Sequence, residues 1–193
     1  MSIAHYLKEI GRGKQGARDL PREQAQDLMQ HLLDGQLNDL EIGAFCIARR
    51  VKGESPLELA GFLDAVQSRL HKLSSGGAPT VVIPAYNGAR KLPALVPLLA
   101  HLLAREGVAV LVHGSASENA RVSSEAVLRG LGTRVLPAQT PAADAPAHSL
   151  QAGLVVYAPT PSLSPALDRL LQVRRTLGLR NSAHSLVKLM NPV

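Results

Sequence analysis

At Ser74-Ser75-Gly76-Gly77 the spacing of apolar residues changes period, and this break constrains the fold of the chain more than any other feature. Before it, apolar residues recur at helical intervals. Ala25, Leu28, Met29, Leu32 and Leu33 form one stripe, stopped at Asp34-Gly35. Leu40, Ala44, Ile47, Ala48 and Val51 form a second, ended by Gly53. A third runs through Leu59, Leu63, Val66 and Leu70, behind Ser55-Pro56, a capping residue followed by a proline in the first turn. Short amphipathic helices of this kind make a thin bundle alone, so they are expected to pack on the rest of the chain or on a second copy of themselves.

Beyond the break, short β-prone runs alternate with helical stretches. Thr80 to Ile83, Val108 to Val112 and Gly153 to Tyr157 read as strands, with a further short one near Val135 to Pro137. Leu92 to Arg105, Ser123 to Leu131 and Pro165 to Leu177 read as helices, and Ala138 to Ala147 as a surface loop. Strands alternating with helices imply a parallel sheet covered by helices. The predicted fold is therefore α/β: an N-terminal helical domain over residues 1–73, then a mostly parallel sheet with covering helices over 78–193. Three or four strands are few for a sheet covered on both faces, so this second domain is expected to be small or incomplete.

With 46% hydrophobic and 19% charged residues, the composition is that of a folded domain and not of a disordered tail. The longest apolar run, Leu92 to Ala104, is interrupted by Pro93, Pro97 and His101, and no secretory leader is seen; a soluble cytoplasmic protein without membrane contact is expected. Cys46 is the only cysteine and sits on an apolar helical stretch, which predicts a buried, inert thiol. No two of the seven histidines stand four apart on one helix, and no carboxylates are adjacent in residues 77–193. The sequence thus offers no metal site and no cofactor is expected: a Walker-type loop and a Gly-x-Ser-x-Gly elbow are both missing.

Charge is informative once divided. Residues 1–76 carry ten Lys and Arg against ten Asp and Glu, whereas residues 77–193 carry eleven against five. That excess of six equals the whole net charge of +6. An excess confined to one part of the chain points to an anionic partner, phosphates or polynucleotide; a merely solvated basic surface is the alternative.

In open parallel sheets ligands bind beyond the carboxyl ends of the strands. The turn Tyr86-Asn87-Gly88-Ala89-Arg90-Lys91 follows the first strand and brings two cations to a helix start, a phosphate-binding pattern. His113 through Arg121 follows the second strand and is rich in small polar groups. Arg174, Arg175, Arg180 and Lys188 place four cations within 15 residues that contain no acid. Three such segments are expected to converge on one edge of the sheet. The candidate nucleic-acid-binding residues are Asn87, Arg90, Lys91, Arg121, Arg174, Arg175, Arg180 and Lys188, while Arg105, Arg129, Arg134 and Arg169 read as solvated. No residue set reads as catalytic.

These residues also carry a resemblance. Asp34-Gly35 through Phe45, then Arg49-Arg50-Val51-Lys52-Gly53-Glu54-Ser55-Pro56, resemble the N-terminal helical domain of the anthranilate phosphoribosyltransferases, and Arg174-Arg175-Thr176-Leu177-Gly178-Leu179-Arg180 resembles a later block of the same enzymes. His113-Gly114 to Leu131-Gly132 is similar to their His-Gly-Asn-Arg-Ser loop. The resemblance covers essentially the whole chain and implies the enzymes' fold, in which similar arginines hold the aromatic acid.

The departures fall where those enzymes bind substrate. Where they carry Gly-Thr-Gly-Gly-Asp to cradle phosphoribosyl pyrophosphate, this chain has Ala85-Tyr86-Asn87-Gly88-Ala89-Arg90-Lys91, whose bulky side chains keep backbone amides away from a phosphate. Ser115 stands in place of the Asn of His-Gly-Asn, Val112 in place of a Lys, and His184 in place of a further Asn. In these features, and in Glu9-Ile10-Gly11-Arg12-Gly13-Lys14, the chain is similar to the YbiB group of DNA-binding paralogues. That resemblance implies a homodimer formed through the N-terminal helices, binding the DNA or RNA backbone with little sequence preference. It also implies that the α/β domain continues beyond residue 193. The alternative is a phosphoribosyltransferase acting on phosphoribosyl pyrophosphate, and a third reading is a helical interaction module with neither ligand.

Overall fold

The computed structural model describes residues 2–86, 88, 92–115, 121–144 and 150–193, which divide into two compact units. The first comprises residues up to Arg69 together with Ala166–Met190; the second comprises Leu70–Pro165 with Asn191–Val193. The segment 166–190, placed with the sheet in the sequence reading, is therefore packed among the helices.

In the first unit, helices α1 (Ala4–Ile10), α2 (Gly13–Gly16), α3 (Arg22–Leu33), α4 (Asp39–Lys52) and α5 (Pro56–Gln67) are joined by α9 (Pro165–Leu177) and α10 (Ala183–Leu189). The starts of α4 and α5 are fixed by reciprocal capping. The Asn38 and Ser55 side chains accept from the amides of Glu41 and Glu58, and those carboxylates accept from the cap amides in return. The expected stripe of α3 is buried. Helix α4 differs: it buries Phe45, Cys46 and Arg49, while Leu40, Ala44, Ile47 and Val51 face solvent. The apolar period was read correctly, but most of the stripe lies outside this unit's own core. Cys46 is buried as expected, and burial pushes its thiol pKa up.

Glu58 is the hub of the helical unit. Its carboxylate is fully buried and accepts from Arg49 Nη1 at 2.7 Å and Nη2 at 3.0 Å, from Lys52 Nζ at 2.8 Å, and from the amides of Leu20 at 2.9 Å and Ser55 at 2.8 Å. Lys52 in turn holds Asp19, and the Arg49 guanidinium lies 5.0 Å from the Phe62 ring centre. One capping residue therefore ties α4, α5 and the segment before α3 together. Close approach of α3 and α5 depends on Gly61, where a Cβ would stand 2.1 Å from the Arg22 carbonyl oxygen and 2.9 Å from the Gln26 nitrogen.

The second unit is a four-stranded, fully parallel sheet in the order β1-β2-β4-β3, built from β1 (Thr80–Pro84), β2 (Ala109–Gly114), β3 (Arg134–Val135) and β4 (Val155–Pro159). Strands β2 and β4 are buried throughout, which explains their continuous apolar runs. Helices α6 (Val96–Arg105), α7 (Ser124–Gly130) and α8 (Thr160–Leu163) complete the unit. Ala100 and Ala104 of α6 and Leu128 of α7 pack on Val110, Val112, Val155 and Tyr157. Helix α6 begins at Val96 and not at Leu92, because Pro93 and Pro97 bias the residues before them away from helix until Pro97 falls within the first turn. Strand β4 begins at Val155 because Gly153 turns the chain with φ of 77°.

Two outcomes follow for the helical unit. Burial alone raises the Glu58 pKa, but the hydrogen bonds from Arg49, Leu20, Lys52 and Ser55 outweigh it and bring the carboxyl from its ordinary 4.5 down to about 2. The folded protein therefore binds this proton less readily than the unfolded chain, and the stabilisation, complete above about pH 4.5, is lost as pH falls toward 2. Urea melts of wild type should show that loss, and Glu58→Gln should flatten it while costing about 3–5 kcal/mol at neutral pH, since it leaves Arg49 buried with a weakened partner. Gly61→Ala should cost about 3 kcal/mol or more in the same melts, because backbone atoms and no flexible side chain block the added methyl.

Candidate nucleic-acid interface

The carboxyl ends of β1 and β2 are closely interlocked within the α/β unit. A Cβ on Gly114 would stand 2.6 Å from the Ala85 carbonyl oxygen, and one on Gly88 (φ 59°) would stand 2.6 Å from that of Val122. The space beside the only glycine of the 85–91 turn is thus filled by the chain's own backbone. His113, at the end of β2, is fully buried; neither ring nitrogen has a hydrogen-bond partner among the described residues, and burial lowers its pKa to about 4. It is a neutral imidazole in the sheet and not a surface cation. Arg121 is half-buried just before α7. Asn87, Arg90 and Lys91 lie outside the described residues.

The remaining predicted cations belong to the helical unit. Arg174 and Arg175 occupy the last turn of α9, where cations complement the exposed carbonyl end of the helix. Gly178, with φ of 70°, turns the chain toward Arg180. Asn181 pins this turn: its amide donates to the Leu170 carbonyl at 2.8 Å, and its Oδ1 accepts from the Ala183 amide at 3.1 Å. Ser182 donates to Glu54 at 2.6 Å, which fastens the start of α10 to the loop after α4. Lys188 follows in the last turn of α10.

These pieces enclose a cavity of about 220 Å³ whose lining includes Arg50, Glu54, Arg180, His184, Ser185 and Lys188. His184 is buried, with Nδ1 at 3.2 Å from both the carbonyl and Oδ1 of Asn181. Its pKa falls to about 4, first through burial and then through the charges of Arg180, Arg174 and Lys188, against the opposing hydrogen bond to the Asn181 carbonyl. Three of the cations singled out in the sequence therefore act on one imidazole. Arg50 is a further cation of this cavity that the sequence reading assigned to no site. Its one signal was its place in the last turn of α4, beside Arg49, and only the fold separates the two: Arg49 is buried against Glu58 while Arg50 is exposed. Of the arginines read as solvated, Arg129 pairs with Glu125 at 2.9 Å and Arg134 is exposed. Among the described residues no group of three or more His, Cys, Asp or Glu stands ready to hold a metal ion, and no helix is long and apolar enough to cross a membrane.

Comparison with known proteins agrees with this architecture. Residues 4–69 match the helical bundle domain of the glycosyl transferase family. The chain is 42% identical over 195 aligned residues to YbiB of Escherichia coli, covering 100% of this chain and 59% of that protein. It is 27% identical to the anthranilate phosphoribosyltransferase of Persephonella marina, over 98% of this chain and 54% of the enzyme. The crystal structure of anthranilate phosphoribosyltransferase from Thermus thermophilus superposes with a TM-score of 0.79 at 25% identity, covering 97% of this chain and 55% of that one. The chain thus spans little more than half the length of the relatives it matches. By sequence and by fold it is similar to YbiB and to the anthranilate phosphoribosyltransferases, and its residues 4–69 match the glycosyl transferase helical bundle.

Proposed function

We propose that this chain is a cytoplasmic, homodimeric protein that binds the backbone of DNA or RNA with little sequence preference and catalyses no phosphoribosyl transfer. The observation that carries the reading is the acid-free run of Arg174, Arg175, Arg180 and Lys188, of which Arg180 and Lys188 line one cavity together with Arg50. Phosphate contacts need cations along a surface and no reading helix, and they are indifferent to sequence. Asn87, Arg90, Lys91 and Arg121, in the part of the sequence that carries the sheet, are proposed as further phosphate-contacting residues. Against transferase activity stands the 85–91 turn: it has a single glycine, and the room beside that glycine is taken by the Val122 carbonyl. A phosphoribosyltransferase acting on phosphoribosyl pyrophosphate remains the second reading, favoured by the relatives' activity and by the Arg174 to Arg180 block.

The dimer rests on α4. Leu40, Ala44, Ile47 and Val51 repeat at intervals of four, three and four residues, the seam of a helix that packs against another helix. Leu40 is 81% exposed, Ile47 46% and Val51 49%, and an apolar hollow of about 320 Å³ lies beside Ala44, Ile47 and Val51 against Leu7 and Ile10.

Two measurements test these readings. A labelled oligonucleotide of about 30 nucleotides, titrated with the protein and followed by anisotropy, should bind at low salt, and affinity should fall roughly a hundredfold between about 50 and 200 mM salt if some four phosphates are neutralised. Replacing Arg174 and Arg175 by Ala, or Arg90 and Lys91 by Ala, should weaken binding equally for unrelated sequences; no binding at low salt rejects the reading, and turnover of phosphoribosyl pyrophosphate would establish the second one. In sedimentation experiments wild type should run as a dimer and Ile47→Glu as a folded monomer. An unchanged dimer in that variant would place the interface elsewhere.

A further inference from the structure

We infer that the cavity between the end of α4 and the start of α10 is a pocket for one phosphate monoester dianion, with Arg50, Arg180 and Lys188 as its charged ligands. For its identification with a nucleic-acid strand end, as opposed to a free phosphate, the inference rests on the binding reading above. The pocket itself stands on its own geometry.

The lining holds three side-chain cations, Arg50, Arg180 and Lys188, and one acid, Glu54. Arg49 also reaches the lining, but its charge is committed to the buried Glu58 carboxylate. Three cations and one acid leave an excess of two positive charges, the complement of a dianion. Glu54 keeps its charge, already counted in that excess, and is held in place by the Ser182 hydroxyl, which donates to it at 2.6 Å. The buried His184 belongs to the same lining. Burial and the charges of Arg180, Arg174 and Lys188 keep it neutral, so no imidazolium adds to the crowding of positive charge and the imidazole forms a neutral wall of the pocket.

The chemistry of the lining selects phosphate among anions. Two guanidinium groups offer paired donors that match phosphate oxygens, and Lys188 adds a compact point charge. Ser185 contributes a hydroxyl and Asn181 an amide turn pinned to Leu170, so the floor is polar and held in place before any ligand arrives. A volume of about 220 Å³ takes a compact group with a few waters, which suits a terminal phosphate better than an internal diester flanked by sugars on both sides. All the named residues belong to one compact unit, so the pocket is complete within the helical domain.

The test uses the whole chain with two probes: inorganic phosphate, followed by calorimetry, and matched oligonucleotides with and without a 5′-phosphate, followed by anisotropy. Phosphate should bind to wild type, and Arg50→Gln or Lys188→Gln should each weaken it about tenfold, the loss of roughly one charge-assisted contact. Both residues are exposed on the surface, so the variants should melt as wild type does, and Arg50→Lys should recover part of the affinity. If the 5′-phosphorylated strand also binds about tenfold more tightly than its unphosphorylated twin, and Arg50→Gln removes only that advantage, the natural occupant is a strand end. Phosphate binding without strand preference assigns the pocket to a free phosphate compound. Oligonucleotide binding with no phosphate heat and no 5′-phosphate preference overturns the pocket while leaving backbone binding intact. Phosphate binding with no oligonucleotide binding in either form keeps the pocket and rejects the nucleic-acid reading.

Discussion

The buried carboxylate of Glu58 organises the helical unit. It caps α5 through Ser55, anchors the chain at Leu20 before α3, and binds Arg49 and Lys52 one turn apart on α4. A charge taken out of water is tolerable only when every lone pair is engaged, and here five donors from three segments meet that demand. Because those donors are available together only when the helices are docked, the network specifies one arrangement of α3, α4 and α5 more than it adds to stability. The close crossing at Gly61 is the packing counterpart of the same arrangement.

That arrangement determines what becomes of the neighbouring basic residues. Arg49 and Arg50 are adjacent in sequence, yet a helix turns successive side chains by about 100 degrees, so one faces the core and the other the solvent. With Arg49 held inward by Glu58, Arg50 lines the cavity that Arg180 and Lys188 also line. One arginine thereby completes a buried pair, and its neighbour lines the cavity. The same rotation turns Leu40, Ile47 and Val51 outward and gives the helical unit an apolar face as well as a basic one.

In the α/β unit the equivalent constraint is backbone proximity. Gly88 and Gly114 leave no room for a Cβ, which would meet the backbone of Val122 and of Ala85 respectively. In loops that hold phosphate through main-chain amides, glycine opens room for the ligand. Here it opens room for the protein itself.

The sequence alone determined the N-terminal helices and the parallel sheet with its helices, because these depend on local periodicity, capping residues and turn glycines that act within a few positions of themselves. It also showed the cation-rich, acid-free run from Arg174 to Lys188, since the charge is written in the residue names. Only the tertiary structure decided that residues 166–190 pack with the N-terminal helices, that the α4 stripe faces outward, and that Arg50 joins Arg180 and Lys188 around one cavity. Those outcomes depend on which helix faces meet, and that is settled by the pairing of Glu58 with Arg49 and by the space at Gly61, contacts between residues whose spacing along the chain carries no periodic signal.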